Sequence, residues 1–375
     1  MPSFHPPRRL LLGPGPSDVP QRILDALARP TVGHLDPSFV GMMDELKGLL
    51  RYAFKTDNTL TIPVSAPGSA GMESCFVNLV EPGDTVIVCR NGVFGGRMRE
   101  NVLRCGANAV MVEDEFSQPV DANKVEAALR AHPGAKAVTF VHAETSTGAR
   151  SDAATLCRLA REHGALSIVD TVTSLGGCEL DVDGWGADAV YSGSQKCLSA
   201  PPGLSPLTFS ARAVEVLKAR KHPVQSWFLD LSLVMAYWDG AGGRSYHHTA
   251  PVNMLYALHE SLVMLQEEGL QAAWARHQAN HERLRDGLER LGLSLLGDDP
   301  KARLPQLNPV VVPDGVDEAG IRRALLNEHG IEIGAGLGPL AGKIWRIGLM
   351  GASSRPEAVD RLLEALSGLL QRKPA

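Results

Sequence analysis

Short apolar runs alternate with longer amphipathic stretches between residues 60 and 210. The runs have the length of strands, and turn sequences such as Glu81-Pro82-Gly83 separate them from the amphipathic stretches. Seven strands are predicted, at Leu60–Val64, Thr85–Cys89, Ala109–Val112, Ala137–Val141, Leu166–Val169, Ala189–Tyr191 and Pro206–Phe209. Helices are predicted over residues 69–80, 95–105, 121–131 and 152–163. Strands that alternate with helices indicate an α/β fold, a mostly parallel seven-stranded sheet between helices.

The order of elements changes after residue 251. The pattern there predicts helices Met254–Glu268, Leu270–Leu291, Asp317–His329 and Pro356–Leu370, and strands Asn308–Val312, Ile331–Ile333 and Trp345–Ile347. This mixture indicates a smaller C-terminal α+β domain. We therefore predict an N-terminal segment of residues 1–20, a large domain of residues 21–260 and a small domain of residues 261–375.

Composition excludes several classes of protein. With 44% hydrophobic and 21% charged residues and only 6 cysteines in 375 residues, the chain is neither disordered nor a disulfide scaffold. A net charge of −5 and 5% aromatic residues argue against a nucleic-acid partner. No apolar run reaches the roughly 20 residues of a membrane span, and Leu10–Leu12 is too short for a secretory signal. We expect a cytoplasmic protein with reduced cysteines; an organellar or peroxisomal location in a eukaryote stays open.

Two chemically distinctive residues follow predicted strands. Asp170 ends the apolar run Leu166–Val169, and Lys196 follows the strand Ala189–Tyr191 in the segment Ser194-Gln195-Lys196. Each by itself has an ordinary alternative, a helix cap for the aspartate and a solvated side chain for the lysine. Together, at the carboxyl ends of successive strands, they can face one crevice. Such a pair suits pyridoxal phosphate, because a lysine forms an imine with the aldehyde and a carboxylate keeps the pyridine nitrogen protonated.

Further residues would complete such a site. Gly68 and Ser69 lie in a glycine-rich turn that opens a helix, where backbone N–H groups can reach a phosphate. Phe94 stands among glycines after the next strand, and Arg346 ends a strand of the C-terminal region, where it could bind a carboxylate. The alternatives are a tight turn, a core aromatic and a structural ion pair. We also expect a lowered pKa for Asp170 beside a pyridinium, and for Lys196 in a desolvated site.

These residues belong to a longer series of motifs. The series runs from residue 12 to about residue 351 and consists of Leu12-Gly13-Pro14-Gly15-Pro16, Glu81-Pro82-Gly83-Asp84, Val169-Asp170-Thr171-Val172-Thr173-Ser174, Ser192-Gly193-Ser194-Gln195-Lys196, Ala200-Pro201-Pro202-Gly203, Tyr246-His247-His248-Thr249, Gly336-Leu337-Gly338-Pro339 and Arg346-Ile347-Gly348. In order and spacing it resembles the class V aminotransferases of the fold-type I pyridoxal phosphate enzymes. The resemblance is to their alanine–glyoxylate and serine–glyoxylate branch.

The resemblance implies a role for each matched residue. Lys196 would carry the cofactor and Asp170 would pair with its ring nitrogen, with Phe94 stacked on the ring and Thr145 near the ring hydroxyl. Phosphate contacts would come from Gly68, Ser69 and Gln195, with Val172 beside them, and from Tyr246 and Thr249 of the partner chain in a homodimer. Arg346 would bind the substrate carboxylate, and the N-terminal segment around Gly15 would reach the active site and the partner. Relatives commonly have His where this chain has Ser69.

The function that the resemblance implies is a ping-pong transamination. An amino group would pass from a small amino acid, of the alanine or serine type, to glyoxylate or another small 2-oxo acid. A ureidoglycine–glyoxylate aminotransferase is an alternative, in which His34 and Asn253 contact the ureido group. A pyridoxal phosphate-dependent lyase is a second alternative, although a cysteine desulfurase is disfavoured because no cysteine follows Cys197. His247 and His248 are expected to diverge in a strand, so no metal site is predicted.

Overall fold

A computed structural model describes residues 1–239, 244–297 and 299–371 of the chain. These residues form fourteen strands: β1 Leu10–Leu11, β2 Leu60–Val64, β3 Thr85–Arg90, β4 Asn108–Glu113, β5 Ala137–Val141, β6 Ala143–Glu144, β7 Ala149–Arg150, β8 Leu166–Asp170, β9 Ala189–Tyr191, β10 Ser205–Phe209, β11 Leu307–Val311, β12 Ile331–Glu332, β13 Gly334–Ala335 and β14 Ile344–Gly348.

The same residues form thirteen α-helices. Their bounds are α1 Gln21–Leu27, α2 Pro37–Phe54, α3 Gly68–Leu79, α4 Val93–Arg104, α5 Ala122–Ala131, α6 Ala153–Glu162, α7 Val182–Trp185, α8 Ala211–Lys218, α9 Leu231–Trp238, α10 Val252–Glu268, α11 Leu270–Arg290, α12 Glu318–His329 and α13 Pro356–Leu370. No helix in the described ranges is both long enough and apolar enough to cross a bilayer.

The central sheet confirms the predicted fold class. Its seven strands lie in the order β2-β10-β9-β8-β5-β3-β4. Strand β10 runs antiparallel to both of its neighbours, and the pairings from β9 through β8, β5 and β3 to β4 are all parallel. Strands β2, β5 and β8 are buried along their whole length, which explains why they are mostly apolar and do not alternate between an apolar and a polar face.

A second, smaller core lies in the C-terminal part of the chain. Strands β11, β14 and β13 form an antiparallel sheet, and helices α11, α12 and α13 pack against it around the buried Trp345 and Leu362. The larger core extends through α10 to Leu270 and Ala273, at the start of α11. The proposed division between residues 260 and 261 stays a prediction, and helix α10 runs across it.

The N-terminal segment joins the smaller core. Strand β1 pairs in parallel with β12, and Leu10 and Leu12 are buried among the C-terminal apolar side chains. The chain then turns towards the large sheet, where Ser17 donates a hydrogen bond to the carbonyl of Lys196 at 2.7 Å. The first 20 residues therefore connect the C-terminal region to the carboxyl edge of the central sheet.

Most predicted elements agree with the structure to within two residues. The predicted strand Ile331–Ile333 ends one residue early as β12, which pairs with β1, and a separate strand, β13, follows at Gly334–Ala335 and pairs with β14. The sequence pattern does not predict helices α1, α2, α7, α8 and α9, strands β1 and β13, or the hairpin formed by β6 and β7. All six cysteines are buried and unpaired, as expected for reduced thiols.

Candidate active site

One cavity at the carboxyl edge of the central sheet brings together eight of the predicted site residues. It is lined by Gly68, Ser69, Phe94, Thr145, Asp170, Val172, Gln195 and Lys196, together with Pro67, Met72, Arg97, Val141, Ala143 and Thr173. Asp170 ends β8 and Lys196 follows β9, and these two strands are parallel neighbours. The cavity lies where polar residues at the ends of parallel strands meet, the usual position of ligand sites in such sheets.

Asp170 is held rigidly inside this cavity. Its side chain is 3% exposed, and its Oδ1 accepts the N–H of Val172 at 2.8 Å while its Oδ2 accepts the hydroxyl of Tyr191 at 2.8 Å. Burial nevertheless raises the pKa of Asp170 to about 6, against the effects of these donors and of Lys196. The expected lowering of this pKa refers to Asp170 beside a bound pyridinium and stays a prediction.

Lys196 has the properties of a reactive amine. Burial lowers its pKa to about 8, and the positive charges of Arg346 and Arg97 act in the same direction. The expected depression is thus confirmed. The ammonium nitrogen donates to the carbonyl of Pro14, and a Cβ added at Gly15 would lie 2.6 Å from Lys196 Nζ. Gly15 therefore borders the lysine, and any larger residue there would occupy the space of its side chain.

The start of α3 provides an anion-binding cradle. Its N-cap is Pro67, so no side chain satisfies the free N–H groups of the first turn, which faces the cavity through Gly68 and Ser69. A Cβ added at Gly68 would lie 3.3 Å from Ser192 O and from Val172 Cγ2. Gln195 Oε1 is buried and makes no hydrogen bond among the described residues. The open helix N-terminus suits a phosphate group, whereas Gln195 could bind that group only through its NH₂ donors, because Oε1 is an acceptor.

Phe94 also lines the cavity, from the first turn of α4. Its ring contacts the guanidinium of Arg97, whose central carbon lies 4.7 Å from the ring centroid. The backbone N–H of Phe94 donates to Glu144 Oε2 at 3.2 Å. Thr145 is buried in the hairpin of β6 and β7, directly after Glu144. An aromatic ring and a buried threonine thus line the same cavity as Asp170 and the start of α3.

Arg346 contacts Thr145, and backbone carbonyls of two other segments fix the plane of its guanidinium group. Its Nε donates to Ala335 O at 2.6 Å and its Nη1 donates to Thr145 O at 3.1 Å. The residue is 7% exposed, and within the described part of the chain no carboxylate forms an ion pair with it. Burial lowers its pKa, and Glu144 opposes that effect. These contacts do not support the alternative of a structural ion pair.

Six predicted residues do not line this cavity in the single chain: Gly15 and Arg346, described above, and Tyr246, Thr249, His34 and Asn253. Tyr246 is 62% exposed, and its hydroxyl lies 3.4 Å from Thr249 Oγ1. The His34 ring lies against Tyr246 at a centroid distance of 5.2 Å, and the Asn253 amide donates to the carbonyls of Leu27 and Arg29. In the single chain these contacts connect Asn253 to the end of α1, so its suggested contact with a ureido group stays a prediction.

The structure corrects the expectation for the histidine pair. His247 and His248 lie in a segment without regular secondary structure, so their side chains do not alternate as in a strand. Their Nδ1 atoms are 2.8 Å apart, and His248 Nε2 lies 2.7 Å from Ser65 Oγ. Burial lowers the pKa of His248 to about 4, so this ring is neutral at physiological pH.

Sequence reasoning assigned no role to three residues at the site. Tyr191 bonds Asp170, Arg97 contacts Phe94, and Glu144 accepts the N–H of Phe94. Tyr191 could have been found, because it ends the strand beside the one that ends in Asp170 and is paired with it in register. Glu144 could not, because its partner lies 50 residues away on another element.

Comparisons with known proteins agree with this geometry. Residues 10–360 match the family model described as aminotransferase class-V. The chain is 41% identical to alanine–glyoxylate aminotransferase of Oryctolagus cuniculus, over 97% of this chain and 93% of the relative. It is 38% identical to (S)-ureidoglycine–glyoxylate transaminase of Bacillus subtilis strain 168, over 98% and 92%. A crystal structure of alanine–glyoxylate aminotransferase from a Nostoc species superposes with a TM-score of 0.96 at 47% identity, covering 99% of this chain and 97% of that one. The chain therefore belongs to the class V aminotransferase family and is a pyridoxal phosphate-dependent transaminase.

Proposed function

We propose that this transaminase moves an amino group from a small amino acid, of the alanine or serine type, to glyoxylate or another small 2-oxo acid in a ping-pong reaction. The observation that carries the proposal is the single cavity that contains Asp170, Lys196 and the uncapped start of α3. The names of the similar proteins, which include two alanine–glyoxylate aminotransferases, support glyoxylate as the acceptor.

Five groups of this chain would hold the cofactor. The first turn of α3 with Ser69, and the amide of Gln195, would bind its phosphate, and the face of Phe94 would cover its ring. Asp170 would bind the ring nitrogen and Thr145 would lie near the ring hydroxyl. When bound, pyridoxal phosphate supplies an aldehyde that takes up the amino group and a ring that withdraws electrons.

Lys196 is proposed to move the proton of the reaction. A pKa of about 8 leaves an appreciable fraction of neutral amine near physiological pH, so Nζ can both accept a proton and return it. Two residues of the N-terminal segment hold the lysine. The Ser17 hydroxyl donates to the backbone carbonyl of Lys196, and the ammonium group of Lys196 donates to the carbonyl of Pro14. The base is therefore confined between the sheet edge and residues 14–17.

Arg346 is proposed to bind the substrate carboxylate. Two of its N–H groups already bond to backbone carbonyls, which leaves the guanidinium oriented before any substrate arrives. Preorganised, desolvated donors of this kind bind a carboxylate more strongly than flexible surface groups do. Gly15 would border the same space and limit the size of the side chain that the substrate carries.

The test of the cofactor-binding role replaces Lys196. We expect Lys196→Ala to lose the visible absorbance of lysine-bound cofactor and to lower transamination by at least about a hundredfold, because the general base is removed. Lys47→Ala is the matched control, since Lys47 is also buried but pairs with Asp239 on another face. A Lys196→Ala protein with an unchanged spectrum would refute the assignment.

A donor panel tests the substrate proposal. Alanine, serine, ureidoglycine and amines without a carboxylate are offered with glyoxylate or pyruvate as acceptor. We expect alanine or serine with glyoxylate to have the highest kcat/KM. A strong preference for ureidoglycine would favour the alternative transaminase, and ammonia release without an acceptor would indicate a lyase.

The oligomeric state is also part of the proposal. Tyr246 and Thr249 lie outside the cavity of their own chain, and Trp227, which stacks on the neighbouring His247, is 62% exposed. Both observations suit a homodimer with shared active sites. Mixing Lys196→Ala chains with chains that carry Tyr246→Ala and Thr249→Ala tests this directly. Random pairing should restore about a quarter of wild-type activity, because one site of each mixed dimer is intact. Mixtures as inactive as the separate variants would contradict sharing.

A further inference from the structure

The first turn of α4 is held by residues from another part of the chain. Its N-cap is Gly92, which has no side chain to satisfy the free N–H groups at the start of the helix. The hairpin of β6 and β7 supplies the missing acceptors. Ser146 Oγ accepts the N–H of Val93 at 2.9 Å, and Glu144 Oε2 accepts that of Phe94 at 3.2 Å.

Glu144 and Ser146 form one connected unit. Glu144 Oε1 accepts both the hydroxyl of Ser146, at 2.6 Å, and its backbone N–H, at 2.9 Å. Glu144 is 0% exposed, and a Cβ added at Gly92 would lie 2.6 Å from Ser146 Oγ and against the Glu144 carboxyl carbon. The carboxylate and the helix start are therefore in close contact, with no room for water between them.

The same short segment also contacts the carboxylate-binding side of the site. Thr145, between the two capping residues, uses its carbonyl to accept a hydrogen bond from Arg346 Nη1. The backbone of residues 144–146 thus lies between the first turn of α4 and the Arg346 guanidinium. Any shift of this segment would move Phe94 and Arg346 relative to each other.

We propose that Glu144 is a positioning residue, which sets the place of the Phe94 ring in the cofactor cavity by holding the backbone of that residue from outside its helix. The inference rests on the proposed role of Phe94 as the ring-stacking residue. A negative charge at a helix N-terminus is favourable, and a buried charge-assisted hydrogen bond is strong. Burial raises the pKa of Glu144 to about 7, with Asp170 contributing in the same direction, so the carboxylate is largely ionised in mildly alkaline solution.

A double-mutant cycle on cofactor affinity tests this proposal. Cofactor-free chains are titrated with pyridoxal phosphate as the wild type, Glu144→Gln, Phe94→Leu and the double variant. Glutamine cannot accept from Phe94 and Ser146 together, because one of its terminal atoms is a donor. We expect Glu144→Gln to weaken binding about tenfold in the wild type and less than about twofold in the Phe94→Leu background, because its effect passes through the aromatic ring.

Thr147→Val is the matched control. Thr147 is buried in the same hairpin, and its Oγ1 makes no hydrogen bond among the described residues. We expect its affinity to stay within about twofold of the wild type. If Glu144→Gln does not fold, Ser146→Ala replaces it, since that change keeps the carboxylate but frees the N–H of Val93. A loss of about threefold, again absent in the Phe94→Leu background, is then expected.

Amide hydrogen exchange gives a second measurement that does not depend on the cofactor. In the cofactor-free chain, the N–H of Phe94 should exchange faster in Glu144→Gln than in the wild type. In Thr147→Val its exchange rate should equal that of the wild type. Equal losses of affinity in both backgrounds, or unchanged exchange at Phe94, would overturn the positioning role alone. A wild-type chain that binds no pyridoxal phosphate would overturn the proposed function, and this inference with it.

Discussion

Replacing Asp170 with asparagine should stabilise the cofactor-free chain, although it removes a residue that the reaction needs. The carboxylate is buried with two donors, Val172 N–H and the Tyr191 hydroxyl. Asparagine can keep both contacts, because its oxygen accepts from Val172 and its NH₂ group can donate to the tyrosine oxygen. The variant therefore loses the charge while the local hydrogen bonds persist.

The magnitude follows from the pKa of Asp170. This pKa is about 6 in the folded chain and is taken as its ordinary value of 3.8 in the unfolded chain. Because the folded value is the higher one, the contribution of Asp170 to stability is complete below pH 3.8 and is lost as the pH rises through about 6. At about 1.36 kcal/mol per pH unit, the wild type loses about 1.5 kcal/mol by pH 5 and about 3 kcal/mol by pH 8. Asparagine has no such titration.

The assay is denaturant unfolding of the cofactor-free chains at pH 5 and pH 8. We expect the advantage of Asp170→Asn in free energy of unfolding to grow by about 1.5 kcal/mol between the two pH values. Added pyridoxal phosphate should stabilise the wild type more than the variant, because the ionised carboxylate then has a cationic partner. Asp121→Asn is the control, since Asp121 also accepts an N–H two residues on, at 2.8 Å, but near the surface at the start of α5.

Two results would refute this reasoning. An Asp170→Asn chain whose advantage is the same at pH 5 and pH 8 would mean that Asp170 does not titrate between them. A similar pH-dependent gain in Asp121→Asn would mean that the effect comes from net charge and not from burial.

Two further changes test the substrate contact and the helix start. Arg346→Lys should raise the KM for amino acids about 10–100-fold and leave the cofactor absorbance intact, because lysine keeps the charge but loses the oriented fork of donors; an unchanged KM, or a best donor without a carboxylate, would contradict the assignment. Gly92→Ala should destabilise the chain by about 1–3 kcal/mol in thermal unfolding and weaken cofactor binding, because its Cβ would lie 2.6 Å from Ser146 Oγ. Gly96→Ala in the same helix meets nothing within 4 Å and should be neutral or stabilising, so equal effects of the two would exclude the steric explanation.

The central sheet could be predicted from the sequence because its strands are short, mostly apolar runs. Leu60–Val64, Ala137–Val141 and Ala189–Tyr191 have the predicted bounds, and each is buried throughout. Burial on both faces makes a strand apolar at most positions, and this pattern can be recognised in neighbouring residues. Asp170 and Lys196 could be predicted for a related reason, because each follows such a run at the edge where ligands bind.

Other features depend on residues far apart in the chain. Helix α4 begins at Val93, two residues before its predicted start, because Glu144 and Ser146 provide the acceptors that Gly92 lacks. Strand β12 ends early because its partner is β1, more than 300 residues before it. The sequence near α4 and near β12 gives no indication of these distant partners.

The sequence by itself thus determined the α/β class, the order of the main elements, and the aspartate and lysine at the strand ends. These features depend on residues that are adjacent in the chain, so a local pattern is enough to predict them. The tertiary structure decided the pKa values and the orientations of the side chains in the site. Burial raises the pKa of Asp170 and Glu144 and lowers that of Lys196, and carbonyls of residues 145 and 335 orient Arg346. Desolvation and hydrogen bonds between distant segments exist only once the chain has folded.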